Sequence, residues 1–252
     1  NIIIQMAVLK EKINPNKVYL MGFSAGGDGV YQLAPRMADR WAAASMMAGH
    51  PNDAAPLGLR NLPFSIHVGA LDSPYNRNGV ARQWGNKLDS LQLGDPQGYI
   101  HSTNIHVGMK HWMKLKDSVA IPWMKKYYRN PIPKKIIWKQ SSRHHPSFYW
   151  VATPIDKIKT GGVIEIEYNT ERNAINIIRN YSSEIHLYIN DDMLNLDEII
   201  TVKYQGKVIY NGIFNRSILN IHETLSNKGD LQLIFPTIIS VINNKCVNSL
   251  YK

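Results

Sequence analysis

One serine stands between two glycines in the run Gly22-Phe23-Ser24-Ala25-Gly26, which follows the apolar segment Lys17-Val18-Tyr19-Leu20 and leads into a stretch of helical character. That context predicts a strand-to-helix turn with Ser24 at its apex, an arrangement that presents a hydroxyl as a nucleophile. Side chains flanking such a turn would clash where the backbone doubles back, so glycines are expected there. The turn would raise the hydroxyl at a helix N-terminus, where free N–H groups and the helix dipole favour negative charge. The Ala25 N–H is therefore expected to donate to the oxyanion formed when Ser24 attacks a carbonyl.

A serine of this kind needs an acid and a base, in the chain order Ser, Asp or Glu, His. The run Pro63-Phe64-Ser65-Ile66-His67-Val68-Gly69-Ala70-Leu71-Asp72 predicts a buried strand ending in a carboxylate, and Asp72 is expected to be the acid. Its alternative role is an Asx turn or the N-cap of a helix beginning near Tyr75. Asp53, in the loop Gly49-His50-Pro51-Asn52-Asp53, is the second candidate. His111 is the expected base, in Gly108-Met109-Lys110-His111-Trp112 after a strand predicted over Tyr99–Val107. Asp72 would hold the ring in the tautomer that accepts the Ser24 proton. His101 and His106 alternate along the strand and are expected on a sheet face or at the surface. His50 could line the substrate pocket or cap a turn, and Trp112 could wall the pocket or pack in the core.

These residues require a particular set of elements. Helix is predicted over Ala25–Met37, Asn76–Leu93 and Leu115–Tyr128, and strand over Trp41–Met47, Pro63–Gly69 and Tyr99–Val107. Such alternation predicts a parallel sheet with helices on both faces. Beyond Pro133 the pattern becomes short strands punctuated by turns: 136–139, 147–152, 163–168, 174–178, 184–189, 199–204, 207–210 and 231–235, with one helix near Ser217–Leu225. The expected organisation is a catalytic α/β domain over 1–130 and a β-rich, sandwich-like domain over 131–252.

The run Gly22–Leu33, the loop Ala48-Gly49-His50-Pro51-Asn52, Val68-Gly69-Ala70-Leu71-Asp72 and Lys110-His111-Trp112 resemble the bacterial phospholipase/carboxylesterase-type α/β-hydrolases, near the polyhydroxybutyrate depolymerase and feruloyl esterase groups. The resemblance covers the first half of the chain. It implies a serine carboxylesterase with Ser24, Asp72 and His111 as its triad and no cofactor. The later half bears a looser likeness to the β-rich extension of some of these enzymes, with Arg129-Asn130-Pro131-Ile132-Pro133 as the junction.

Ile2, Met6, Leu9 and Ile13 recur at helical spacing with no initiator Met, N-cap or signal pattern, so the chain is expected to begin inside a helix. In that reading an N-terminal part of the hydrolase sheet, the second oxyanion donor and any targeting segment lie upstream of Asn1. Compartment stays open, with secretion and the periplasm among the choices.

Net charge is +10, with 15 Lys and Arg against 8 Asp and Glu over residues 1–129. Lys110, Lys114, Lys116, Lys125, Lys126 and Arg129 crowd around the histidine. They could form a solvated helix face or a field for an anionic ester substrate, such as an acidic polysaccharide or a phospholipid head group. No recognition motif accompanies the charge, so nucleic acid is not expected as a partner. No window approaches the roughly 18 apolar residues of a membrane span. No metal-ligand spacing is present, His144-His145 reads as loop, and the single Cys246 cannot form an internal disulfide.

Ester hydrolysis through an acyl-enzyme is the leading expectation. A prolyl-oligopeptidase-like peptidase would use the same three residues. A non-catalytic alternative has the β-rich domain binding carbohydrate through exposed Tyr149, Trp150 and Tyr168.

Overall fold

The computed structural model describes residues 2–247; Asn1 and residues 248–252, at the outer ends of the two expected domains, lie outside the described residues. Two compact units divide the chain. One is Asn14–Asn130, and the other joins residues 131–247 with residues 2–13. The first helix, α1 (Ile2–Glu11), thus groups with the later unit instead of with residues 14–130.

In the Asn14–Asn130 unit the order is β1 (Tyr19–Phe23), α2 (Ala25–Arg36), β2 (Ala43–Met47), β3 (Phe64–Gly69), α3 (Arg77–Gly94), β4 (His101–His106) and α4 (Ala120–Met124). The four strands pair in parallel and in chain order. β2 and β3 are buried along their whole length, as central parallel strands between two covered faces must be. Val30, Tyr31 and Ala34 of α2 and Ala81, Trp84 and Leu88 of α3 are buried at helical spacing. The rings of Tyr31, Phe64 and Trp84 meet there, with Tyr31 4.5 Å from Trp84.

The helix expected over Leu115–Tyr128 is much shorter. Leu115 adopts φ 61°, a 3-10 turn covers Lys116–Val119, and only Ala120–Met124 is α-helical. Pro122 supplies no N–H, and after Trp123 the chain closes with tighter bonds from Lys126 to Trp123 and from Tyr127 to Met124.

The second unit contains two five-stranded sheets. One has β5 (Lys135–Lys139), β8 (Val163–Asn169), β9 (Ala174–Arg179), β11 (Ile200–Tyr204) and β12 (Lys207–Gly212) in the order β12-β11-β9-β8-β5. The other has β6 (Ser147–Phe148), β7 (Val151–Ala152), β10 (Glu184–Ile189), β13 (Thr237–Ile242) and β14 (Lys245–Val247) in the order β14-β13-β10-β7-β6. Pairing is antiparallel except between β9 and β11. Burial alternates along β8, β9, β10 and β13, the mark of strands with one packed face. The helix α5 (Ile218–Lys228) ends at Gly229, φ 61°, and Gln5 of α1 donates to the carbonyls of Asn227 and Lys228 there.

Three expectations are corrected in this unit. The single strand over 147–152 is a tight hairpin, β6 to β7, because Tyr149 turns the chain at φ 53°. The strand over 231–235 is a 3-10 turn, Leu231–Leu233, started by Asp230 accepting from the Gln232 N–H; pairing begins only after Pro236. The aromatic residues proposed to face carbohydrate are core. Tyr149, Trp150 and Tyr168 are all buried, Trp150 donates to the Pro133 carbonyl, and the Tyr168 hydroxyl donates to the Ile132 carbonyl. With all three rings buried, none presents a face to a sugar.

Candidate active site

Ser24 sits at the junction of β1 and α2 with φ 56° and ψ −119°, a conformation that a residue with a Cβ rarely adopts. Its N–H donates to the Met47 carbonyl at 2.9 Å, and its own carbonyl accepts the Asp28 N–H at 3.1 Å to start α2. Gly22 is obligatory: a Cβ there would lie 2.2 Å from the Gly26 carbonyl oxygen. Gly26 itself faces open space, so only the first of the flanking glycines relieves a clash. Ala25 is the exposed first residue of α2, and its N–H has no acceptor within the helix because the first intrahelical bond belongs to Asp28.

The imidazole of His111 bridges the serine and one carboxylate. Its Nε2 lies 2.9 Å from Ser24 Oγ and its Nδ1 2.8 Å from Asp72 Oδ2. An ionised carboxylate only accepts, so Nδ1 carries the proton and, in the neutral ring, Nε2 accepts the serine O–H. The Asp72 side chain is fully withdrawn from solvent while that of His111 is about a third exposed. Asp72 does not cap α3, whose preceding residue is Asn76; the Asp72 carbonyl instead accepts the Asn78 N–H.

Gly69, at the end of β3, is what lets the acid-bearing and histidine-bearing loops meet. A Cβ at this position would stand 2.1 Å from the Lys110 carbonyl oxygen and 2.5 Å from that of Met109. Leu71 then donates its N–H to Met109 at 2.9 Å. Gly69 belongs to no catalytic motif, but a glycine closing a buried strand is a recognised sign of close backbone approach.

The remaining candidates are placed as follows. Asp53 lies apart from this constellation and accepts from Gln32 Nε2. His50 is held in a turn: its N–H donates to Asp28 Oδ1 at 2.6 Å and its Nδ1 accepts the Asn52 N–H at 3.0 Å. Trp112 is not core; it is 56% exposed and stands edge-on to Phe23, whose ring also lies 5.1 Å from that of His111. Phe23, between Gly22 and the serine, carries no signal in the sequence that would mark it as part of the site. His101 spans the Tyr99 carbonyl and Asp89. His106 pairs with buried His67, with Nε2 3.2 Å from His67 Nδ1. Burial, with a smaller contribution from His106, pushes the His67 pKa down to about 4.

Lys110, Lys114, Lys116, Lys125 and Lys126 are exposed, but Arg129 is buried and donates to Asn16 Oδ1 and the Asp39 carbonyl, so it belongs to no surface field. Burial raises the Cys246 thiol to about 12. Among the described residues, no group of three or more His, Cys, Asp or Glu could hold a metal ion, and no helix is long and apolar enough to cross a membrane.

No family model and no curated protein matches the chain. Among solved structures it is similar to one titled as the crystal structure of a thermostable esterase, with a TM-score of 0.39 and 17% identity. The likeness covers 50% of this chain and 35% of that one, so this chain spans about a third of that neighbour's length.

Proposed function

We propose that the protein is a serine hydrolase that cleaves carboxylic esters through an acyl-enzyme intermediate. The observation that carries this reading is the continuous hydrogen-bonded chain from Ser24 Oγ through His111 to buried Asp72, with the serine on a strained turn at the start of a helix. Ser24 attacks the ester carbonyl as His111 Nε2 takes its proton. The oxyanion forms beside the Ala25 N–H. His111 returns the proton to the departing alkoxide, then draws one from water as that water attacks the acyl-serine; the Ser24 Oγ–acyl bond breaks, His111 gives the proton back to Oγ, and the carboxylic acid leaves. Asp72 keeps the Nδ1 proton in place and stabilises the imidazolium at each step.

The motif resemblance favours esters over amides and supports an α/β-hydrolase-type catalytic unit. The two sheets of the other unit support a sandwich-like arrangement, since Trp138 of β5 stacks on Phe148 of β6. Trp112 and Phe23 are proposed as apolar walls beside the base, and a small-molecule, lipid or polysaccharide ester as the substrate. Fluorophosphonate labelling of the wild type and of Ser24→Ala tests the reading: covalent labelling and ester turnover are expected to disappear together. Retention of more than about a tenth of the turnover would remove Ser24 as nucleophile. A panel of acyl esters and proline amides decides between ester and peptide cleavage.

A further inference from the structure

Asp72 is served on one side only by the histidine. Its Oδ2 accepts from His111, whereas Oδ1 is buried without a hydrogen-bond partner. A carboxylate withdrawn from water normally fills both oxygens. The group facing the unfilled oxygen is the guanidinium of Arg77, with Nη1 3.7 Å from Oδ1. That separation is too long for a hydrogen bond and short enough for a strong charge interaction, because the carboxylate is fully buried and the arginine side chain is only 15% exposed.

The backbone before Arg77 is built to aim it there. Tyr75 and Asn76 both adopt φ 54°, and consecutive left-handed residues, one of them a tyrosine, are uncommon. The reversal brings the guanidinium back over the Tyr75 ring, 4.7 Å from its centroid. One face of the cation is thereby held by an aromatic ring, while its Nη1, which also donates to the Pro74 carbonyl at 3.5 Å, faces Asp72.

We propose that Arg77 is a positioning residue for this site: its charge compensates Asp72 from behind and keeps Oδ2 turned toward His111. The inference rests on the proposed function of the same site. Without the guanidinium the carboxylate would be buried with one partner, and it would rotate or draw in water to fill Oδ1, loosening its grip on the imidazole.

Four variants and a proton NMR spectrum test this. The Asp72-bound Nδ1–H of His111 should give a far-downfield resonance in the wild type, absent in Asp72→Asn. In Arg77→Met the resonance is expected to broaden or shift upfield, with kcat down about 10- to 100-fold, by analogy with the loss when an outer partner that orients a metal-binding histidine is removed, and KM nearly unchanged. Arg77→Lys, which keeps a charge, should recover most of both. An unchanged resonance in folded Arg77→Met would overturn the proposal whatever the activity, as would an Arg77→Lys variant no better than Arg77→Met. If Arg77→Met does not fold, the double variant Arg77→Met/Asp72→Asn decides: removing the buried charge should restore folding, and its failure to do so counts against the idea. A wild type that shows the resonance but turns over neither ester nor amide defeats the hydrolase reading, while the resonance still tests Arg77.

Discussion

The loops that follow β2 and β3 leave neighbouring strands of one sheet, and each carries an aspartate within a few residues of a strand-end glycine. They differ in what those glycines touch. Gly49 packs against Gly27 and Asp28 at the start of α2, so its loop, with His50 and Asp53, is drawn onto the serine-bearing helix. Gly69 packs against the carbonyls of Met109 and Lys110, so its loop is drawn onto the segment that carries the histidine. One aspartate ends against Gln32 and the other, fully buried, against His111 and Arg77. Residue type alone does not separate the two carboxylates; the strand order along the chain favours Asp72, and the backbone contact of Gly69 carries that aspartate to the histidine.

The sharpest way to break this comparison is to neutralise each carboxylate. Asp72→Asn is expected to lower kcat by about 10⁴, because the amide cannot hold the same tautomer of His111 or stabilise its charge. Asp53→Asn, read in the same ester assay, should stay near wild type, and the reverse ranking would transfer the acid role to Asp53.

A smaller effect is expected from the glycine. Gly69→Ala should lower folding stability by about 1–3 kcal/mol, the usual cost of forcing a methyl into packed backbone. The same change should reduce turnover by about 10²-fold through displacement of the two loops. Denaturant titration and kinetics on the purified variant check both, and full activity would mean that the loops meet without help from Gly69.

The pH dependence of stability bears on any pH profile used to compare the loops. His67 is buried beside His106 and titrates near 4, below its unfolded value of about 6.5. The unfolded chain therefore binds more protons than the folded one between those two values, and stability falls as the pH drops from 6.5 toward 4. His106 is also lowered, mainly by burial, with Asp117 opposing and Lys116 assisting. Above pH 6.5 the contribution is intact; by pH 4 roughly 3 kcal/mol at most is lost through His67. Urea titrations at several pH values on the wild type and His67→Leu should show the acid slope shrink in the variant, and an equal slope in both would refute this account.

Much of the sheet unit was legible because its signals are local. Strand, turn and helix around Ser24 follow from an apolar run, glycines and an apolar helical period in contiguous residues, and the order serine, aspartate, histidine can be read along the chain. The β strands with alternating burial were visible for the same reason. Elements governed by backbone sign were not. Tyr149 and Leu115 take positive φ that nothing in their types announces, so a strand became a hairpin and the start of a long helix became a 3-10 turn leading into the short α4.

What the chain determined by itself is therefore the set of candidates: a serine on a tight turn, two aspartates, a loop histidine, and the helices and strands that carry them. Only the tertiary structure brought Asp72, already preferred to Asp53 from its place after a buried strand, within hydrogen-bond reach of His111, put Phe23 and Arg77 beside the site, and moved Tyr149, Trp150 and Tyr168 from an expected surface into the core. The reason is physical. Propensity and periodicity act over a few residues, whereas the 39 positions between Asp72 and His111 and the 87 between Ser24 and His111 are closed by packing, by burial, and by a glycine that admits one backbone against another.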